Sequence, residues 1–244
     1  LLEATTILLI VSDTSRFRTR PSPCSCNDDL LGEGIHFKSA KYGNIQGWKP
    51  IAVSDHLHYR VEYFILVPVL SVQDVAEAAD TPYSYVRVAT KAIPELIRTP
   101  KLVEPLLSES YTTRFKQPTY VLLQNGLNVE RDLYESVTAL GQGEPSIVSA
   151  AVWIGTNLVS PNVIEHGNFV RETRTSTERC ANVLKGRLTL GVYKHGERTP
   201  SPNTQEQQAV LEEISKILSA GGSDVTLTNE IQCQKFAKNF WNVA

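Results

Sequence analysis

Apolar and polar positions along the chain alternate between two periods. Residues 5–11 hold the run Ile7-Leu-Leu-Ile-Val11, short and continuous, which predicts a buried strand. Residues 35–50, with Gly, Trp and aromatic side chains, suit a short hairpin, and residues 59–70 are apolar without a clear helical period. Residues 71–79 predict a short helix beginning at or just after Ser71. From residue 83 the pattern sharpens. Strands are expected over 85–90, 119–123 and 146–154. A helix-rich connection interrupted at Pro100 and Pro105 covers 94–107, and a helix over 129–140 has Leu133, Val137 and Leu140 on one stripe. That β-α-β-α-β order predicts an α/β fold with right-handed crossovers and a parallel sheet.

Beyond Gly155 the expected strands, over 163–166 and 187–193, are antiparallel. Between them, residues 171–185 are polar and Thr-rich and fit a loop or insertion. After a linker at 200–202, Thr204-Gln-Glu-Gln207 has the spacing of a capping box. It opens a helix with Val210, Leu211, Ile214, Ile217 and Leu218 on one face, closed by Gly221-Gly222. A strand over 224–228 and a helix over 230–244 complete the chain. In that last helix Cys233, Phe236, Ala237, Phe240, Trp241 and Ala244 form one apolar face.

Candidate chemistry gathers at three places. Four apolar residues, 120–123, run into Gln124-Asn125-Gly126-Leu127-Asn128, where a parallel strand ends and where open α/β sheets bind ligands. Gly126 allows positive φ or close approach of a ligand, and Asn125 can donate and accept without charge. Asn-Gly is equally an ordinary turn dipeptide. Lys238 and Asn242 lie four apart at the edge of the apolar face of the last helix. An ammonium there could protonate or polarise a carbonyl oxygen, with burial drawing its pKa towards neutrality; the bland alternative is a lysine that snorkels to water. Lys91 follows a strand, where a lysine can meet a phosphate or ribose, or simply be solvated.

Composition narrows the classes. The 244 residues are 41% hydrophobic and 20% charged, with net charge -2, a folded globular balance that argues against nucleic acid as a main partner. Methionine is absent, even at position 1, which suggests a processed form, a fragment or a faulty gene model. Cysteines 24, 26, 180 and 233 lack zinc spacing and are expected to be reduced thiols, and the five histidines, His56 and His58 among them, form no ligand pattern, so no metal is expected. No run reaches the roughly 18 apolar residues of a membrane span, and none follows a positive leader. The basic residues at 16–20 fit a solvated loop or a transit segment. A phosphate-cradling G-x-G-x-x-G is not found: Gly32-Glu-Gly34 has no third glycine, and Gly141-Gln-Gly143 follows a helix.

Together the segments resemble the ketopantoate reductase (2-dehydropantoate 2-reductase) family. The resemblance is carried by Ala76-Glu-Ala-Ala79, Tyr83-Ser-Tyr-Val-Arg-Val-Ala-Thr-Lys-Ala92, Val121-Leu-Leu-Gln-Asn-Gly-Leu-Asn-Val-Glu130, Ile154-Gly-Thr-Asn157, Val163-Ile-Glu-His166 and Glu230-Ile-Gln-Cys-Gln-Lys-Phe-Ala-Lys-Asn-Phe-Trp-Asn242. It implies an incomplete Rossmann-like NADP-binding domain over residues 1–200. Residues 201–244 would then be the end of the α/β domain and the first helix of an all-helical C-terminal substrate domain. It further implies Lys238 as proton donor, Lys91 and Asn125 at the cofactor, and Asn125 and Asn242 at the substrate. The implied reaction is NADPH-dependent reduction of 2-dehydropantoate to pantoate, on the route to pantothenate and coenzyme A. The implied setting is the cytoplasm, with the mitochondrion as alternative, and a homodimer is left open.

The chain departs from that pattern in several places. The first βα unit with its glycines is missing, and the basic residue selecting a 2′-phosphate has only Arg16 as a candidate. Residues 54–68 and 170–186 look inserted, and Arg87 falls in a strand that should be buried, where an unpaired charge is costly. Most of the helical domain is expected to lie outside the chain, so the chain alone is expected to reduce little or nothing. A reductase of another 2-keto acid and a non-catalytic remnant that binds a partner are the alternatives.

Overall fold

The structure, a computed structural model, describes residues 7–10, 34–39, 43–48, 72–160, 162–166, 187–197, 199 and 201–243. Ten strands are described: β1 (Ile7–Ile10), β2 (Ile35–Ser39), β3 (Gly43–Trp48), β4 (Tyr85–Val88), β5 (Thr119–Leu122), β6 (Ile147–Trp153), β7 (Thr156–Ser160), β8 (Val163–His166), β9 (Arg187–Val192) and β10 (Asp224–Leu227). The helices are α1 (Val72–Ala78), α2 (Thr99–Leu102), α3 (Glu104–Leu107), α4 (Glu109–Thr112), α5 (Arg131–Thr138), α6 (Gln205–Ala220) and α7 (Ile231–Val243). The sequence expectations for residues 11–33, 54–68 and 170–186 fall outside the described residues.

Six strands form the main sheet in the order β1-β4-β5-β6-β9-β10. The first four are parallel, with Ile7 opposite Tyr85, Tyr85 opposite Thr119 and Tyr120 opposite Ile147. Strand β9 then turns antiparallel to β6, placing Val148 opposite Val192, and β10 runs parallel to β9. The fold is therefore α/β with a Rossmann-like parallel core and a reversed edge. Four further strands make a second sheet, β3-β2-β8-β7. The hairpin expected over 35–50 is its β2–β3 pair. The antiparallel strands expected over 163–166 and 187–193 fall in different sheets: β9 is antiparallel to β6, whereas β8 is antiparallel to β7, a strand the sequence pattern does not mark, and parallel to β2, more than a hundred residues earlier. Among the described residues no helix is long and apolar enough to cross a membrane.

Period-two alternation divides the core into two layers. Val86, Val88, Tyr120, Leu122 and Ile147 face one way and pack with Leu133 and Val137 of α5. Tyr85, Val121, Val148, Ala150 and Leu190 face the other and pack with Leu211, Ile214 and Leu218 of α6. Both box bonds at the start of α6 are present: Gln207 N–H donates to Thr204 Oγ1 at 3.2 Å, and Thr204 N–H donates to Gln207 Oε1 at 3.0 Å. Pro100 and Pro105 do not interrupt a helix. Each lies in the first turn of a one-turn helix, α2 or α3, where a missing N–H loses no bond. Arg87 is buried in β4 as anticipated, and burial pushes its guanidinium down to about 10.

Helix α7 packs on β6 and β9 on the α5 side of the sheet, and Gly191 of β9 admits it. A Cβ at Gly191 would stand 2.7 Å from the Ile231 Cβ and 2.7 Å from the Thr228 carbonyl oxygen. One neighbour is backbone and neither can swing away. Gly191→Ala is therefore expected to lower stability by about 1–3 kcal/mol, the range of an overpacked core, read as a lower urea midpoint with little change in m-value.

Candidate functional site

The candidate site lies at the carboxyl ends of β4, β5 and β6. Gln124, 2% exposed, ties this rim together. Its Nε2 donates to Thr90 Oγ1 at 2.8 Å, and its Oε1 accepts from Thr99 Oγ1 at 3.2 Å. The loop after β4 and the start of α2 are thereby held to the end of β5. The chain then turns through Gly126 (φ 111°) and Asn128 (φ 58°) into α5. A side chain at φ 111° is strained, which is what Gly126 avoids.

Asn125 uses its amide to extend the sheet by one rung. The backbone register ends with Leu122 opposite Ser149, an offset of 27. Asn125 keeps that offset with its side chain: Val152 N–H donates to its Oδ1 at 3.1 Å, and its Nδ2 donates to the Val152 carbonyl at 3.4 Å. The same Val152 carbonyl accepts from Lys238 Nζ. Two of the residues singled out in sequence, 113 positions apart, thus meet on one carbonyl at the strand end. The ammonium also lies 5.5 Å from the centre of the Trp153 ring, within cation–π range.

Helix α7 delivers that ammonium by lying lengthwise along β6. Ile231 sits at Gly191, Lys235 reaches Ser149, and Lys238 reaches Val152. The inward face is therefore Ile231, Lys235 and Lys238, spaced i, i+4, i+7. This corrects the helix face expected from hydrophobicity. Cys233, Phe236 (58%) and Phe240 (70%) are exposed, whereas Lys235 (1%) and Lys238 (7%) are buried. On the strands beneath, Ser149, Ala151 and Gly191 are small, so the long lysine stems have room.

Lys235, Glu130 and Ser149 were not singled out by the sequence reading. Glu130 precedes α5 and is fully buried, yet its carboxylate does not cap that helix. Its Oε1 accepts from both Lys235 Nζ and Ser149 Oγ, and Lys235 Nζ also donates to Ser149 Oγ at 2.9 Å. Burial lowers the pKa of Lys235, and the attraction of Glu130 opposes that fall. Lys238 is pushed down to about 8, by burial first and by the charge of Lys235 second. The available signal was the Lys-x-x-Lys spacing, which puts both amines on one helical face, with an acid shortly after the Asn-Gly turn.

The other two expected residues are less engaged. Lys91 follows β4 on the same rim, is exposed, and has no hydrogen bond or ion pair among the described residues. Asn242 is in α7 one turn after Lys238, and its side chain lies outside the described residues. An amide beside an ammonium whose pKa is drawn down to about 8 suits the nicotinamide and carbonyl end of a dinucleotide site, and an exposed lysine on the same rim suits its phosphate or ribose. The stretch after β1, where a phosphate-cradling turn would be sought, is outside the described residues.

Residues 27–178, well over half the chain, match the family model described as Ketopantoate reductase PanE/ApbA. The uncharacterized protein YDL144C of Saccharomyces cerevisiae is 30% identical over 113 residues, which are 44% of this chain and 28% of the yeast protein. Among solved structures, 2-dehydropantoate 2-reductase from Methylococcus capsulatus superposes with a TM-score of 0.55 at 19% identity, over 90% of this chain and 52% of that one. The enzyme of the same description from Geobacter metallireducens GS-15 gives 0.50 at 20% identity, over 87% of this chain and 50% of that one. The chain thus spans about half the length of these structures, and at these identities the likeness establishes the fold.

A lysine held at about 8 binds fewer protons in the folded chain than in the unfolded chain, where lysine titrates near 10.4. The native state is penalised in full below about pH 8, and the penalty fades as pH rises towards ~10.4. Urea midpoints of Lys238→Met relative to wild type are expected to be most favourable below pH 8 and to lose that advantage by pH 10. A gap independent of pH would show that Lys238 titrates like a solvated lysine.

Proposed function

Since the chain belongs to the ketopantoate reductase PanE/ApbA family, we propose that it forms the cofactor half of an oxidoreductase that reduces the ketone of a small 2-keto acid, 2-dehydropantoate in the first instance, to the 2-hydroxy acid pantoate. The observation that carries this reading is the meeting of Asn125 and Lys238 on the Val152 carbonyl at the rim of the parallel strands. Reduced nicotinamide, NADPH in this proposal, would supply the hydride when bound. Everything else falls to the side chains of this chain.

Lys238 is the proton donor. An ammonium has three N–H groups, and Val152 takes one, leaving two for a substrate oxygen. As negative charge grows on that oxygen, the ammonium stabilises it and then releases a proton to it. With its pKa at about 8, Lys238 is charged at neutral pH yet a stronger acid than a solvated lysine, which favours transfer. Asn125 holds the Val152 carbonyl in place and so fixes Lys238; its amide also stands where a nicotinamide carboxamide or substrate would lie. Lys91 is assigned to a phosphate or ribose of the cofactor, and Asn242 to the substrate. In this reading α7 is both the last layer on the sheet and the first helix of a helical substrate domain, and the route served is pantothenate and coenzyme A synthesis.

Fluorescence titration of this chain is expected to show NADPH binding, and tighter binding than NADH. In a chain extended to the length of its structural relatives, Lys238→Ala should lower kcat for 2-dehydropantoate by about a hundredfold or more while the Kd for NADPH changes little. Faster turnover of a different 2-keto acid would reassign the substrate. Parallel loss of cofactor affinity would remove Lys238 from the role of acid.

A further inference from the structure

Helix α7 contacts β6 through charge although apolar side chains were available. Phe236 and Phe240, with ring centres 6.3 Å apart, would together bury far more apolar surface than two lysine stems, yet both point outward. A buried ion pair seldom stabilises more than apolar packing of the same volume; its best-attested use is to specify one arrangement among several. Here the pair joins three elements: Glu130 at the start of α5, Ser149 in the middle of β6, and Lys235 on α7. None of them touches the rim where Asn125 lies.

We propose that Lys235 is a positioning residue: locked between Glu130 and Ser149, it fixes the rotation and depth of α7 and so sets Lys238, one turn further on, at the end of β6 beside Asn125. Its meaning for catalysis rests on the reading of Lys238 as proton donor. The geometry itself does not depend on turnover.

The spacing supports this. Lys235 and Lys238 are three positions apart, so both project from one side of the helix. Ser149 and Val152 are three positions apart, roughly 10 Å along a strand, against about 4.5 Å of helix rise between the lysines, and the long Lys238 stem covers the rest of the way from mid-sheet to the rim. Rotating α7 far enough to bury the phenylalanines would strand Glu130, fully buried, without its cation, which is strongly unfavourable. The groups facing Lys238 are Lys235 from its own helix, the Val152 carbonyl and Trp153 ring from β6, and the Asn125 amide from beyond β5. Those facing Lys235 are Glu130 and Ser149, and Tyr193 after β9 senses the Glu130 charge. Lys235 is thus the charged neighbour that reaches Lys238, and the burial of Lys238, the larger cause of its lowered pKa, holds only while α7 keeps this rotation.

The test reads the proton on Lys238. Acetylation by an N-hydroxysuccinimide ester is followed at Lys238 by peptide mass spectrometry from pH 6 to 11, in the 244-residue chain. Wild type should give a midpoint near 8. Lys235→Arg, which keeps the charge and the donors, should preserve it. The double variant Lys235→Gln with Glu130→Gln removes both charges together and leaves no orphan. It should move the midpoint up by about one unit or more, so that at pH 7 Lys238 reacts about tenfold more slowly relative to its plateau. Should the double variant fail to fold, Ser149→Ala removes one of the two groups holding Lys235, and an upward shift is expected there too. An unmoved midpoint in the folded variant, with only the melting temperature changed, would overturn the proposal, as would a wild-type midpoint at the ordinary lysine value. Failure to bind NADPH would refute the proposed reaction but leave this result standing.

Discussion

The ion pair between Lys235 and Glu130 is the constraint on which the rest of the site depends. It lies against the middle of the main sheet, out of reach of water, and the Ser149 hydroxyl joins it at Glu130 Oε1, while Glu130 Oε2 is buried with no hydrogen-bond partner among the described residues. A contact of this kind tolerates little displacement, because either partner alone in the interior would be an uncompensated charge. The helix that carries Lys235 therefore cannot slide or roll without a large loss. Gly191 supplies the matching steric condition, since only a residue without a side chain lets Ile231 reach the backbone of β9 and the following loop. The ion pair holds the angle and depth of α7, and the missing Cβ at Gly191 makes that depth reachable.

The rim inherits that rigidity. Asn125 continues the hydrogen-bond register of β5 and β6 with a side chain where the backbone pairing has stopped, so the Val152 carbonyl has a fixed direction. Lys238 is anchored to that carbonyl and bordered by the Trp153 ring. Gln124 restrains the adjoining loops through two threonines. Each of these polar groups is held by a residue that is itself held, so the rim is preorganised.

Much of the main sheet was legible in the sequence. Strands such as 119–123 are continuous apolar runs bounded by turn residues, and the Thr204–Gln207 box marks the start of α6 within a residue. The second sheet was legible only in its hairpin. Strand β7, Thr156–Ser160, carries no alternation, and the pairing of β8 with β2 spans more than a hundred residues that no local period records. The last helix misled because hydrophobicity was the strongest signal available: the stripe through Phe236 and Phe240 is more apolar than the face through Ile231, Lys235 and Lys238. Its true orientation depends on Glu130, 105 residues earlier, and a lysine looks solvated until its distant partner is known.

The reversal of the last two strands has a chemical outcome of its own. In an all-parallel sheet the helix after the final strand starts at the carboxyl rim and shows it a row of peptide N–H groups. Those can attract an anion, but they have no hydrogen to give away. Because β9 and β10 run backwards, α7 starts at the far rim and arrives with its flank, and what it brings is an ammonium, which carries a labile proton. Two inverted strands thereby exchange an anion trap for a Brønsted acid.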